Sequence, residues 1–197
     1  HLALMAMGVN ENCEVIVPSI TFIATANPIL YLKAKPIIID VDEKYNLKIE
    51  DVLKFIKEKT VFKNNVTINK KTKKILKVIM VAHMWGRPCD FLKIKKVCKK
   101  RNIYILEDAA EALGSYIKSQ NSKKYYHCGS IGDVGCLSFN ANKIITTGSG
   151  GALITNNKNI FKKSEYLASQ AKDDSFNYIH NECGYNYKMN GLNAGLG

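Results

Sequence analysis

Arginine is nearly missing from this chain of 197 residues: Arg87 and Arg101 are the whole supply, so the formal net charge of +12 is lysine. Proteins that read nucleic acid lean on arginine for bidentate contacts to bases and phosphates. The lysines here are scattered along amphipathic stretches among Asn and Ile, the pattern of a solvated face, so no nucleic-acid partner is expected. No apolar run approaches the length of a membrane span and no signal-peptide pattern is present, so no membrane partner is expected and the expected location is cytoplasmic. The six cysteines, Cys13, Cys89, Cys98, Cys128, Cys136 and Cys183, contain no Cys-x-x-Cys pair, which removes the close-spaced zinc and redox motifs. They read as reduced thiols, several of them core. Internal repeats and low-complexity segments are also missing.

What is present is ordinary for a globular protein. Hydrophobic residues make up 46% and charged residues 23%, enough for one sizeable core. Hydrophobic periodicity predicts a helix end over 2–7 closed by Gly8, then strands at 14–17, 36–39, 77–82, 104–108, up to 139, and 152–155. Helices are expected at 21–32, 48–59, 90–100 and 161–171, the second with Ile49, Val52, Leu53 and Ile56 on one face. The repeated strand-helix-strand order implies parallel neighbours. Segments 60–74 and 117–126 are expected to be surface loops or hairpins, and 172–182 a mobile link.

One stretch organises the rest. Ser138 to Gly151, Ser-Phe-Asn-Ala-Asn-Lys-Ile-Ile-Thr-Thr-Gly-Ser-Gly-Gly, leaves one apolar strand, passes Lys143 and closes on glycines before a second apolar run. Loss of solvation between strands disfavours an ammonium and favours the neutral amine that a Schiff-base lysine needs. Upstream, Tyr104-Ile-Leu-Glu-Asp-Ala-Ala-Glu-Ala-Leu-Gly-Ser115 ends a strand on two acids. In an open α/β sheet that carboxyl end is where ligands lie, so Asp108 is placed to reach a cofactor, although such an acid also caps helices. His83, at another strand end, has no second ligand at metal spacing and reads as a hydrogen-bonded structural histidine. No metal site is expected.

These stretches, with Val17-Pro-Ser-Ile-Thr-Phe-Ile-Ala-Thr-Ala-Asn27 and Gly184-Tyr-Asn-Tyr-Lys-Met189, occur in one order over nearly the whole chain. Together they resemble the DegT/DnrJ/EryC1 family of pyridoxal-phosphate-dependent sugar aminotransferases. The wording around Asn140 to Thr147 is similar to the branch that makes 4-amino sugars for nonulosonic acids such as legionaminic acid. The resemblance implies an α/β fold of the aspartate-aminotransferase-like kind, fold type I, with 1–197 as part of the large cofactor-binding domain, an N-terminal segment and a small C-terminal domain lying outside it.

The resemblance also implies pyridoxal 5'-phosphate held by Lys143, with Asp108 on the ring nitrogen, Phe22 against the ring, Ser138 on the phosphate and Glu111 where relatives often carry Gln or His. Asn186 would reach the phosphate of a neighbouring subunit, which makes a homodimer part of the expectation. L-glutamate would be the donor and a nucleotide-linked 4-keto-6-deoxy sugar of the UDP-N-acetyl type the acceptor. Ser149 departs from the acid or glycine common in relatives, and the glycine-rich phosphate segment that precedes the first helix in the family lies outside the sequence. Another enzyme of the same family, or a basic nucleic-acid-binding module, is the alternative.

Overall fold

The computed structural model describes residues 1–118, 123–174 and 176–197. In chain order its elements are α1 (Leu2–Ala6), β1 (Cys13–Pro18), α2 (Ile23–Tyr31), β2 (Lys35–Ile39), α3 (Ile49–Lys59), β3 (Thr60–Lys63), β4 (Val66–Asn69), β5 (Ile75–Ala82), a 3-10 turn (Met84–Gly86), α4 (Leu92–Arg101) and β6 (Tyr104–Asp108). Then come β7 (Tyr116–Lys118), β8 (Tyr125–His127), β9 (Val134–Ser138), β10 (Gly151–Ile154), α5 (Lys158–Ala168), β11 (Lys172–Asp174), β12 (Ile179–His180) and α6 (Gly191–Leu196). The expected α/β fold, a mostly parallel sheet flanked by helices, is what forms.

The main sheet runs β10-β9-β6-β5-β1-β2, with β4 beside β5 and β3 beside β4. The pairs β1–β2, β1–β5, β5–β6 and β6–β9 are parallel, while β10 lies antiparallel on β9. Alternation along the strands feeds two cores. Ile16, Ile79, Val81 and Ile105 face α3 and α4, whereas Val15, Val17, Val78, Met80 and Leu106 face α1, α2 and α5. Leu76 shares a face with Ile79 only because the pairing of β1 with β5 shifts register after Leu76, so that Lys77 is an extra residue. A bulge of this kind reverses which side chains point inward. Helix α3 buries Ile49, Val52 and Ile56 as its periodicity predicts, with Glu50 and Asp51 in its first turn and Lys57 and Lys59 in its last, the order the helix dipole favours.

The segment at 60–74 is a hairpin that joins the main sheet. Asn64 and Asn65 both adopt left-handed backbone (φ 52° and 63°) between paired Lys63 and Val66, as a two-residue turn of type I′ requires. The hairpin is tied to the sheet by Asn69, whose side-chain amide donates to buried Glu14 at 2.7 Å. The helix expected at 161–171 begins earlier, because the Asn157 side chain accepts from the backbone N–H of Asn159 and Ile160 and caps α5. The expected link at 172–182 is instead the antiparallel pair β11–β12, with the Asp174 carboxylate accepting from the N–H groups of Phe176 and Asn177. The hairpin expected at 117–126 is present as β7 and β8, its connection at 119–122 lying outside the described residues. The second run of the Lys143 stretch, β10, is a largely exposed edge strand rather than a buried one.

Candidate active site

Four parallel strands, β1, β5, β6 and β9, end at one rim, and the residues that follow them line a pocket of about 560 Å3. Small-molecule sites fall in the range of about 300–1,000 Å3. From the end of β1 come Thr21, Phe22 and Thr25; from β5, His83 and Trp85; from β6, Asp108 and Glu111; from β9, Ser138, Asn140 and Lys143. This is the carboxyl-end crevice beside β1, where the strand order reverses. Five of the six site residues expected from sequence, Phe22, Asp108, Glu111, Ser138 and Lys143, therefore meet. Asn186 does not: it pairs with Ser169 in a short bridge and is absent from the pocket lining.

Asp108 is held at both carboxylate oxygens. Thr25 donates its hydroxyl to Oδ2 at 2.6 Å and the Ala110 N–H donates to Oδ1 at 3.2 Å. With its own proton committed to Asp108, Thr25 accepts from the Thr21 hydroxyl at 2.8 Å, so a chain of two hydroxyls ends on the acid. Across the pocket, Lys143 Nζ lies 3.3 Å from Glu111 Oε1, its side chain 16% exposed. The other oxygen of Glu111 accepts the Trp85 N–H at 2.9 Å. Ser138 accepts the Asn140 N–H at 3.3 Å, which starts the turn that carries Lys143. Phe22 is 74% exposed at the rim.

Beneath the pocket, Glu107 is fully buried and accepts four hydrogen bonds: from His83 Nε2 (3.0 Å) and Gly129 N–H (2.8 Å) on one oxygen, and from the Ile131 (2.7 Å) and Gly132 (2.5 Å) N–H groups on the other. His83 Nδ1 accepts the Cys89 N–H, so Nε2 is the nitrogen that carries the proton toward Glu107. Burial pushes the Glu107 carboxyl up, but the hydrogen bonds from His83, Gly132 and Gly129 outweigh it and hold the group below the ordinary value of 4.5. Gly132 has no substitute, since a Cβ there would lie 2.7 Å from the Ile105 carbonyl oxygen. The structural reading of His83 thus holds, with a partner that the sequence did not name.

Cys136 also lines the pocket, but loss of solvation pushes its thiol up to about 12, which removes it as a nucleophile near neutral pH. Among the described residues no group of three or more His, Cys, Asp or Glu side chains is placed to hold a metal ion. No helix of the described residues is long and apolar enough to cross a membrane. A larger cavity of about 830 Å3 lies at the amino ends of β5 and β6. Two of its polar side chains are used within the fold, Lys95 donating to the Ile131 carbonyl and Asp133 accepting from the Ile105 N–H, and its polar lining is otherwise mainly lysine and asparagine.

The donor set fits pyridoxal 5'-phosphate. An amine for the aldehyde (Lys143), an ionisable acid locked by two hydrogen bonds for the ring nitrogen (Asp108), a hydroxyl (Ser138) and apolar walls (Leu106, Met80) share one pocket. Thr25 and Trp85 were not singled out from sequence. Thr25 was hidden inside an amphipathic helix pattern, and its one available signal was its presence in the stretch that opens with Val17-Pro-Ser.

Comparison with known proteins agrees. The DegT/DnrJ/EryC1/StrS aminotransferase family matches residues 1–197. GDP-perosamine synthase of Escherichia coli O157:H7 is 37% identical over 198 residues, covering 100% of this chain and 48% of that protein. UDP-4-amino-4,6-dideoxy-N-acetyl-beta-L-altrosamine transaminase of Campylobacter jejuni is 32% identical over 199 residues, again covering 100% of this chain and 48% of the relative. Among solved structures, a DegT DnrJ EryC1 StrS aminotransferase from Brucella abortus aligns with a TM-score of 0.84 at 25% identity over 99% of this chain and 48% of that one. An aminotransferase from Psychrobacter cryohalolentis aligns at 0.78 with 30% identity over 99% of this chain and 47% of that one. The chain spans about half the length of the curated relatives it matches. By its sequence over residues 1–197, the chain belongs to the DegT/DnrJ/EryC1/StrS aminotransferase family.

Proposed function

We propose that the protein of which residues 1–197 form the cofactor-binding part is a pyridoxal-phosphate-dependent aminotransferase. It moves an amino group from L-glutamate to a nucleotide-linked 4-keto-6-deoxy sugar, of the UDP-N-acetyl type, in the assembly of a surface glycan. The observation that carries this reading is the meeting of Lys143, Glu111 and Asp108 in one pocket at the carboxyl ends of the parallel strands. Relatives named for GDP-perosamine and for a UDP-linked altrosamine support a nucleotide-sugar acceptor.

When bound, the cofactor supplies an electron sink for the carbanion formed at the amino carbon. Lys143 would hold it through its amine and, with that amine free, would be the base placed to take the proton from the donor's amino carbon. Asp108, oriented by Thr25 and Ala110, keeps the ring nitrogen protonated. Glu111 holds Lys143 in place and Ser138 donates to the phosphate. Phe22, exposed at the rim of the pocket, would cover the ring and exclude water from it. Asn186 of the partner subunit completes the phosphate site in a homodimer, a reading supported by its position outside the pocket of its own chain and by the exposed apolar residues Leu30, Tyr31 and Ile38 on α2 and β2.

The test is a spectrum of the full-length protein with pyridoxal phosphate, titrated with glutamate and then chased with nucleotide-linked keto sugars. Glutamate should convert the absorbance band of the lysine-bound cofactor, and the correct keto sugar should restore it, with ping-pong kinetics in steady state. A band that glutamate leaves unchanged would overturn the donor assignment, and one that no keto sugar restores would overturn the acceptor.

A further inference from the structure

We propose that Trp85, braced by Tyr45, is the surface on which the pyranose ring of the acceptor lies; this deepens the reading given under Proposed function and rests on it. Trp85 follows β5 in the turn Met84–Gly86 with φ 53° and ψ 33°, in the left-handed region that bulky side chains rarely enter. Tyr45, in the loop after β2, has φ 62°. These two unfavourable backbone positions bring the rings together edge to face, with centroids 5.3 Å apart and planes at 76°. Packing does not explain the expense, because Trp85 stays 66% and Tyr45 45% exposed. Strained backbone positions cluster at active sites and ligand clamps.

The position of Trp85 says which part of the acceptor it meets. Its backbone N–H donates to Glu111 Oε2 at 2.9 Å, and Glu111 Oε1 lies 3.3 Å from Lys143 Nζ. The backbone nitrogen of Trp85 is thus separated from the amine by one carboxylate, and Trp85 is among the residues that line the same pocket. In the acceptor half-reaction Lys143 must reach the sugar carbon that receives the nitrogen in order to hand it a proton, so the ring that bears this carbon would occupy the adjoining space. The diphosphate and base extend further out. A pyranose offers an apolar face of C–H groups, and an exposed aromatic face in a pocket mouth is suited to cover it. The turn is held rigid for this purpose: Ser115 donates its hydroxyl to the Gly86 carbonyl at 2.7 Å, and a Cβ on Gly86 would lie 2.8 Å from the Glu111 carbonyl oxygen.

The experiment measures both half-reactions of the full-length holoenzyme in Trp85→Ala, Trp85→Phe and Tyr45→Ala. All three variants keep the backbone N–H that reaches Glu111. In Trp85→Ala the KM for the keto sugar should rise by about tenfold or more while the glutamate half-reaction stays within about twofold; Trp85→Phe should lose about threefold or less. Tyr45→Ala, which unpins the indole without removing it, should raise the same KM by a few fold. Acceptor binding should change tryptophan fluorescence in the wild type, and most of that change should be lost in Trp85→Phe. A keto-sugar KM within about twofold of wild type in Trp85→Ala would overturn the inference, as would a parallel fall in both half-reactions, which would make the indole only a support for Glu111. If Trp85→Ala does not fold, an unaltered fluorescence response in Trp85→Phe together with an unaltered KM in Tyr45→Ala overturns it. A wild-type protein that aminates no nucleotide-linked keto sugar would instead overturn the functional reading, an outcome visible before any variant is made.

Discussion

Glu107 and Asp108 are consecutive in β6 and serve opposite sides of the sheet. Glu107 points into the layer of α3 and α4, where His83 and three backbone N–H groups surround it; Asp108 points to the pocket, where Thr25 and Ala110 hold it. Successive strand residues project to opposite faces, so one dipeptide both locks the 129–132 turn under the site and supplies the acid of the site.

Removing Glu107 should therefore act on stability before chemistry. Glu107→Ala leaves the N–H groups of Gly129, Ile131 and Gly132 without their acceptor. At about 1–3 kcal/mol for each of the three unsatisfied donors, a loss of at least about 3 kcal/mol is expected. Urea denaturation of wild type and variant measures it, and a loss below about 1 kcal/mol would contradict the assigned network.

The same carboxylate sets a pH dependence. Its pKa is held below 4.5 in the folded protein by hydrogen bonds that outweigh burial. A carboxyl that is a stronger acid when folded stabilises the fold while it is ionised. That contribution is complete above the unfolded value of about 4.3 and is lost as pH falls through the lower folded value. Stability of the wild type should consequently drop on acidification below about pH 4.5 more steeply than that of Glu107→Ala, as denaturation midpoints at a series of acidic pH values will show.

Lys143→Ala should abolish the absorbance band of lysine-bound cofactor and lower turnover on the order of 10^3-fold or more, since both the covalent anchor and the proton carrier are lost. Retained turnover near wild type would remove Lys143 from the chemistry.

Thr25→Val removes the 2.6 Å hydrogen bond to Asp108 at nearly constant volume. Hydrogen bonds to charged groups contribute about 1.5–3 kcal/mol. Cofactor affinity or turnover should fall by about tenfold or more, with Thr25→Ser retaining most of it. Equal behaviour of Val and Ser at this position would show that packing, not the hydroxyl, is what matters.

Thiol labelling offers a test of the fold. Cys183 is exposed, whereas Cys13, Cys89, Cys98 and Cys128 are buried, and loss of solvation pushes the thiols of Cys89, Cys98 and Cys128 up to about 12. Peptide mapping after brief alkylation of the native protein should find Cys183 modified and these four unmodified until denaturant is added.

What the amino-acid order settled on its own is whatever depends on near neighbours. The three-and-four spacing of Ile49, Val52 and Ile56 made α3 visible, Asp108 could be placed at a strand end, and Lys143 stood out between an apolar run and a glycine turn. These follow from local backbone preference and periodicity, which a linear reading contains. The tract at 60–74 could be read only as a loop or hairpin, and the start of α5 was placed too late, because short turn and capping side chains, Asn64, Asn65 and Asn157, decide them without any apolar period. Tertiary structure alone joined Thr25 to Asp108, Trp85 to Glu111 and Glu107 to His83, since strand order and register across the sheet determine which distant residues share a face. A one-residue shift of β6 would exchange the surroundings of Glu107 and Asp108, and the parallel pairing of β5, β6 and β9 is what holds each acid on its own side.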